Sequence, residues 1–212
     1  MIREKEIFRY LGYGRNIPDD RVKGLIDICV REVEAAAEPK SIHRRFAVSV
    51  TEDDYIEAAG LRMHSKNLSK NLRGCEEVVF FAATLGIGVD RLLAKYIKLD
   101  MTKAAIVQAV AAAMIEDYCN EKQREIEADV LKDGFYVRPR FSPGYGDLDL
   151  RIQPDFLQVL NAGKNIGITL SEGGIMIPEK SVSAIMGLSR VNERCHIEGC
   201  EACDNIDCRF RR

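Results

Sequence analysis

Apolar positions along the chain fall into runs with two different spacings. From 19 to 37, Val22, Leu25, Ile26, Cys29, Val30 and Val33 recur at helical intervals, so one face is apolar and the other charged. Pro18 with Asp19 and Asp20 marks the helix start and Pro39 its end. A shorter helix is predicted within residues 1–14, ending near Gly12 or Gly14. Arg45–Thr51 reads as a strand. Ser65 caps a helix carrying Leu68 and Leu72 that ends at Gly74; its Arg62, Lys66, Lys70 and Arg73 form a basic or simply solvated face. Glu77–Thr84 is a continuous apolar run, the mark of a buried central strand.

Leu85-Gly-Ile-Gly88 joins that strand to a helix with Leu92, Leu93, Tyr96 and Ile97. A third glycine and a Lys-Ser/Thr are both missing, so a glycine turn fits better than a dinucleotide loop. Thr102 is expected to cap the longest helix, 102–128. Its first half is apolar nearly all round and so buried between layers. Its second half carries Glu116, Asp117, Glu121, Glu125 and Glu127, acids that either meet a cationic ligand or emerge into water. Gln153–Gly163 reads as a short helix, and Asn165–Leu170 with Ile175–Ile177 as a hairpin about the Ser171–Gly174 turn. Ser181–Gly187 is a further strand or strand edge. Strands and helices do not alternate regularly. The expectation is one α+β domain with a curved, largely antiparallel sheet flanked by helices.

The 212 residues are 46% hydrophobic and 30% charged with a net charge of −2, which gives no basic field for nucleic acid. The charged N-terminus is unlike a signal peptide, and no apolar run is long enough to span a bilayer, so no membrane and a cytoplasmic location are expected. Cys29, Cys75 and Cys119 read as core residues. Cys195, Cys200, Cys203 and Cys208 crowd the end of the chain; they fit zinc or an iron–sulfur cluster, with His196 as a further ligand, or equally plain reduced thiols or a disulfide.

The densest punctuation is Arg138-Pro-Arg-Phe-Ser-Pro-Gly-Tyr-Gly-Asp147, a shaped loop with two prolines and two glycines. It reads as a ligand clamp or as a tight surface turn.

Four strings carry a resemblance. Arg-Tyr-Leu-Gly-Tyr (9–13), Phe-Phe-Ala-Ala-Thr-Leu-Gly (80–86), Arg-Phe-Ser-Pro-Gly-Tyr-Gly-Asp (140–147) and the run Ile168–Ala184 resemble the activation domain of cobalamin-dependent methionine synthase, in its stand-alone subunit form, over roughly residues 5–190. Residues 191–212 would then be a separate Cys-rich tail. The resemblance implies a module that binds S-adenosylmethionine and supports reductive methylation of cobalamin carried by a corrinoid-binding methyltransferase partner, with an electron donor such as flavodoxin. Arg140 falls on the motif arginine for the ligand carboxylate, and Tyr145 on the motif tyrosine near the sulfonium. Ser142 lies where the family's main chain contacts the ligand, and Gly144 is a further candidate for ligand binding, since a glycine permits close approach. Glu116, Asp117 or Glu121 would hold the ammonium, because Ala113 stands at the family's helix glutamate. Glu172 would support the loop. The competing expectation is a metal- or cluster-bearing redox activator, or a docking partner, of a corrinoid protein that does not use S-adenosylmethionine.

Overall fold

The computed structural model describes residues 4–14 and 16–192. Helix α1 (Glu4–Tyr10) precedes α2 (Asp20–Ala36), whose Asp19 side chain accepts from Val22 N at 2.8 Å as the N-cap. Past Pro39 the chain enters β1 (Lys40–Val50) at once. This strand begins earlier than Arg45. Ser41, His43 and Arg44 show no apolar alternation, and their extended backbone is fixed by pairing across the sheet.

Two short strands, β2 (Tyr55–Ala58) and β3 (Leu61–His64), form a hairpin that the pattern does not announce. Its two-residue turn, Ala59-Gly60, has both φ angles positive at 54° and 79°, the geometry that matches strand twist. Ser65 caps α3 (Lys66–Leu72), accepting from Leu68 N at 3.0 Å. Then come β4 (Cys75–Thr84), α4 (Ile87–Leu99) and α5 (Met101–Val130). The cap of α5 is Asp100 rather than Thr102: its carboxylate accepts from Thr102 N and Lys103 N at 3.0 and 3.1 Å, and Thr102 already lies inside the helix.

The remaining elements are β5 (Tyr136–Val137), α6 (Gln153–Leu160), α7 (Ala162–Ile166), β6 (Thr169–Leu170), β7 (Met176–Ile177) and β8 (Ser181–Ser189). Asn161, left-handed at φ 51°, ends α6 two residues before Gly163. The chain then re-enters a helix, so the predicted strand from Asn165 shrinks to Thr169–Leu170.

Six strands form one sheet in the order β3-β2-β1-β4-β8-β5, every neighbour antiparallel, while β6 and β7 pair separately. Helices cover both faces. Val79, Phe81, Ala83, Ala184, Met186 and Leu188 pack toward α1, α2, α4 and α5. Val78, Phe80, Ala82 and Ile185 pack toward α3, α6 and α7. Burial on both faces explains the unbroken apolar run in β4 without a parallel sheet. On the second face Phe46 meets Phe80 edge-on and Phe80 stacks on Phe156, with centroids 5.2 and 4.6 Å apart. Cys29 and Cys119 are core residues as expected, whereas Cys75 is half-buried. Among the described residues no helix is long and apolar enough to cross a membrane.

Candidate functional site

The loop singled out by its prolines and glycines follows the edge strand β5 and runs along β8. The ladder pairs Tyr136 with Ser189 and Val137 with Leu188, and Arg138 N donates to Gly187 O at 2.8 Å. Phe141 and Ile185 then exchange both backbone bonds, at 2.9 and 2.8 Å. Between those points Pro139 and Arg140 together oppose the single residue Met186. One extra residue facing a ladder is a β-bulge. Pro139, which has no N–H to donate, sits where the ladder is interrupted.

In a regular strand Arg138 and Arg140 would share a face. The bulge separates them. Arg138 is buried against Cys75 and Leu72 on the α3 side, where Gly187 leaves room: a Cβ there would lie 2.6 Å from Cys75 Sγ and 3.2 Å from Arg138 Cγ. Burial pushes the Cys75 thiol up, with Arg138 opposing the shift.

Arg140 crosses to the opposite layer. Its Nη1 donates to Gln123 Oε1 at 2.9 Å and its Nη2 to Asn120 Oδ1 at 2.8 Å, with a longer contact of 3.4 Å to Glu116 Oε2. These partners sit at i, i+4 and i+7, one stripe of α5. The guanidinium side chain remains 18% exposed. Cys119, directly below this stripe, is driven up to about 12 by burial, Arg140 opposing, so it is a neutral thiol at physiological pH.

Beyond Phe141 the loop folds on itself. Tyr145 N donates to Ser142 O at 3.0 Å, Gly144 N to Leu148 O at 2.8 Å, and Leu148 N to Tyr145 O at 3.1 Å. Asp147 ties it to α3, accepting from Ser65 Oγ at 2.5 Å, Lys66 N at 2.8 Å and Asn67 N at 3.2 Å. Burial by itself would raise the Asp147 carboxyl, but the bonds from Ser65, Asn67 and Lys66 outweigh it and hold the group below its ordinary value. Gly146, at φ 56°, permits this approach: a Cβ there would lie 2.8 Å from Asn67 Nδ2. Tyr145 is 53% exposed, and its ring meets Phe141 edge-on at 5.5 Å. Two hollows lie elsewhere: one of about 550 Å³ against β1 and the Ala59-Gly60 turn, the other of about 260 Å³ between α6 and Thr169. Neither is lined by the loop.

The chain matches the family described as "Vitamin B12 dependent methionine synthase, activation domain" over residues 54–197, more than half its length. The chain belongs to this family. The matched stretch begins at the β2–β3 hairpin and includes α5, the loop and β8. It starts later than residue 5, so the Arg9–Tyr13 string lies outside it. Among solved structures the chain is similar to the crystal structure of the MetH reactivation domain bound to AdoHcy, with a TM-score of 0.63 at 15% sequence identity, over 90% of this chain and 77% of that one. At that identity the likeness establishes the fold. No curated protein matches the chain.

Of the three acids expected from the long helix of this activation domain, Glu116 is the one brought to Arg140. Asp117 is half-buried one position round the helix. Glu121 points away, 59% exposed and 3.9 Å from Lys122 Nζ. Glu172 is exposed in a turn that Ser171 organises, its backbone and Oγ bonding Gly174 N and Ile175. Asn120, Gln123 and Asp147 are the residues that sequence reasoning missed as parts of the site. The motif ended on Asp147, and the two amides looked like ordinary helix surface. Cys195, Cys200, Cys203 and Cys208 lie outside the described residues, and among the described residues no group of three or more His, Cys, Asp or Glu side chains is placed to hold a metal.

Proposed function

We propose that this chain binds S-adenosylmethionine on the Arg138–Asp147 loop and supports the reductive methylation of cobalamin carried by a corrinoid-binding methyltransferase partner, acting as a separate cytoplasmic subunit. Residues up to about 190 would form the ligand-binding unit. The observation that carries the proposal is the bulge that turns Arg140 onto α5 beside Glu116, in a chain of the activation-domain family. The similar MetH reactivation domain is bound to AdoHcy, the demethylated form of the proposed ligand.

In this reading Arg140 takes the ligand carboxylate, and Glu116 takes the ammonium, with Asp117 the nearest substitute. The backbone of Ser142 and Gly144 lies along the ligand. Tyr145 presents an aromatic face to the sulfonium. Glu172 supports the region from its turn. These groups fit a zwitterionic, cationic ligand: a reachable guanidinium, an adjacent carboxylate and an exposed aromatic ring. Cobalamin, when reduced by an external donor such as flavodoxin, supplies the nucleophile for the sulfonium methyl. The chain itself has only to orient the ligand and needs no acid or base. Calorimetric titration with S-adenosylmethionine tests the proposal. Wild type should bind and Arg140→Ala should not; absent binding by wild type, or equal binding by both, would sink it.

The four C-terminal cysteines favour a second reading, in which a zinc or iron–sulfur site makes the chain a redox activator or docking partner that does not depend on S-adenosylmethionine. Iron and zinc analysis after anaerobic purification separates the two. Metal-free protein with full activity removes this second reading.

A further inference from the structure

Arg45 and Arg140 have acceptors that differ in charge. Arg45 donates to Glu77 Oε2 at 2.8 Å and to Asp133 Oδ2 at 2.6 Å, so two carboxylates compensate one guanidinium. That is a structural ion-pair cluster. The two short bonds of Arg140 go to amide oxygens, Asn120 Oδ1 at 2.8 Å and Gln123 Oε1 at 2.9 Å; the lone carboxylate, Glu116, stands off at 3.4 Å. Gln123 is itself oriented, its Nε2 donating to Glu127 Oε1 at 2.8 Å, which turns its carbonyl toward the arginine. A guanidinium has donors only, so a neutral carbonyl can fix its plane as well as a carboxylate does. What the carbonyl does not do is cancel the charge. Of the five N–H donors three are engaged, which leaves two for an incoming anion.

We propose that Asn120 and Gln123 are positioning residues that lock the Arg140 guanidinium while leaving its charge available, so that the site selects ligands bearing a carboxylate. The inference rests on the S-adenosylmethionine reading of the loop and specifies which part of the ligand that stripe of α5 recognises. Glu127 extends the arrangement by one residue, holding Gln123. The selectivity follows from electrostatics. Asn120→Asp keeps an acceptor at the same place and adds the negative charge that a ligand carboxylate would otherwise supply; Gln123→Glu adds the same charge but gives up the bond to Glu127.

The test uses the full chain and the variants Asn120→Asp and Gln123→Glu, titrated with AdoHcy and with 5′-methylthioadenosine. The second compound keeps the nucleoside and thioether but lacks both the carboxylate and the ammonium of the amino-acid part; an added acid would favour the ammonium, so weakened AdoHcy binding reports on the carboxylate. Each substitution should weaken AdoHcy binding about tenfold or more. It should leave 5′-methylthioadenosine within about twofold of wild type, and the ligand-free melting temperature within about 2 °C. AdoHcy binding unchanged in both variants would overturn the inference and leave the proposed function standing. Equal losses for the two ligands would overturn it as well, since the effect would not follow the carboxylate. A lowered melting temperature in both variants would assign the amides to fold stability instead. Wild type that binds neither compound removes the proposed function and this inference together.

Discussion

Asp147→Ala tests how the proposed ligand loop is held. The carboxylate accepts from Ser65 Oγ, Lys66 N and Asn67 N, all at the start of α3 and some 80 residues away in sequence. Replacing a helix-capping acceptor by alanine costs about 0.5–2 kcal/mol. Two observations place Asp147 in the lower half of that range. Ser65 still caps Leu68 N at 3.0 Å when the carboxylate is gone, and Asp147 is largely exposed, so solvent screens its charge. A loss of about 1 kcal/mol corresponds to a melting temperature lower by about 2–4 °C for a chain of this size. The effect depends on pH in a defined direction. Because the folded state holds the carboxyl below its ordinary value, its contribution is complete above the unfolded value of about 3.9 and is lost as pH falls through the lower folded value. The gap between wild type and Asp147→Asn should therefore be full at pH 7 and close below about pH 4. Thermal unfolding followed by circular dichroism at several pH values measures it. A gap that widens on acidification, or no gap at pH 7, would refute the anchoring role. Arg140 is fixed independently through β8 and α5, so AdoHcy affinity in Asp147→Ala should fall by no more than about tenfold, roughly 1.4 kcal/mol.

Two glycines make sharper tests of packing. A Cβ on Gly88 would lie 2.1 Å from Ala36 O, backbone at the end of α2, so Gly88→Ala should lose about 2 kcal/mol or more despite the roughly 0.8–1 kcal/mol by which alanine favours a helix; equal or higher stability in urea unfolding would show that α2 yields freely. Gly187→Ala would put a Cβ 2.6 Å from Cys75 Sγ and 2.8 Å from Leu72 Cδ2, at a cost of about 1–3 kcal/mol. That cost should shrink in a Cys75→Ala background, and strict additivity in the double-mutant cycle would contradict the contact.

The elements legible in the sequence are those whose own residues decide them. Asp19 and Ser65 start α2 and α3 where the chain announces a cap, and β4 and β8 are apolar enough to be buried on any arrangement. The first half of β1 is not legible, because its strand geometry comes from pairing with β4 and its side chains are mostly polar. The β2–β3 hairpin escapes because four-residue strands show little periodicity and Ala59 holds a left-handed turn position usually given to Asn or Asp. Within the site, Arg140 and the loop could be picked out by resemblance, but choosing Glu116 over Glu121 required the helix phase, and the roles of Asn120 and Gln123 required knowing which side of the sheet Arg140 faces. An amide on a helix surface carries no mark of what will reach it.

What sends Arg140 to that side is the packing demand of its neighbour. Phe141 is 7% exposed and belongs to the cluster under α3 and α6, where its ring meets Tyr145. Burying a phenylalanine is worth about 1.5–3 kcal/mol, so the chain gains by directing position 141 into that layer. Arg138 is committed to the same layer by its ladder bond to Gly187 and its contact with Cys75. Positions 138 and 141 differ by an odd number, and an unbroken strand cannot point both to one face. The conflict is resolved by one extra residue, placed where Pro139 has no ladder bond to lose. Once the bulge is there, Arg140 has to leave on the α5 side, and α5 meets it with two amides and one acid. The direction of the proposed ligand clamp is thus set by core packing on the far face of the sheet, so substitutions at Phe141 should disturb Arg140 without touching any ligand.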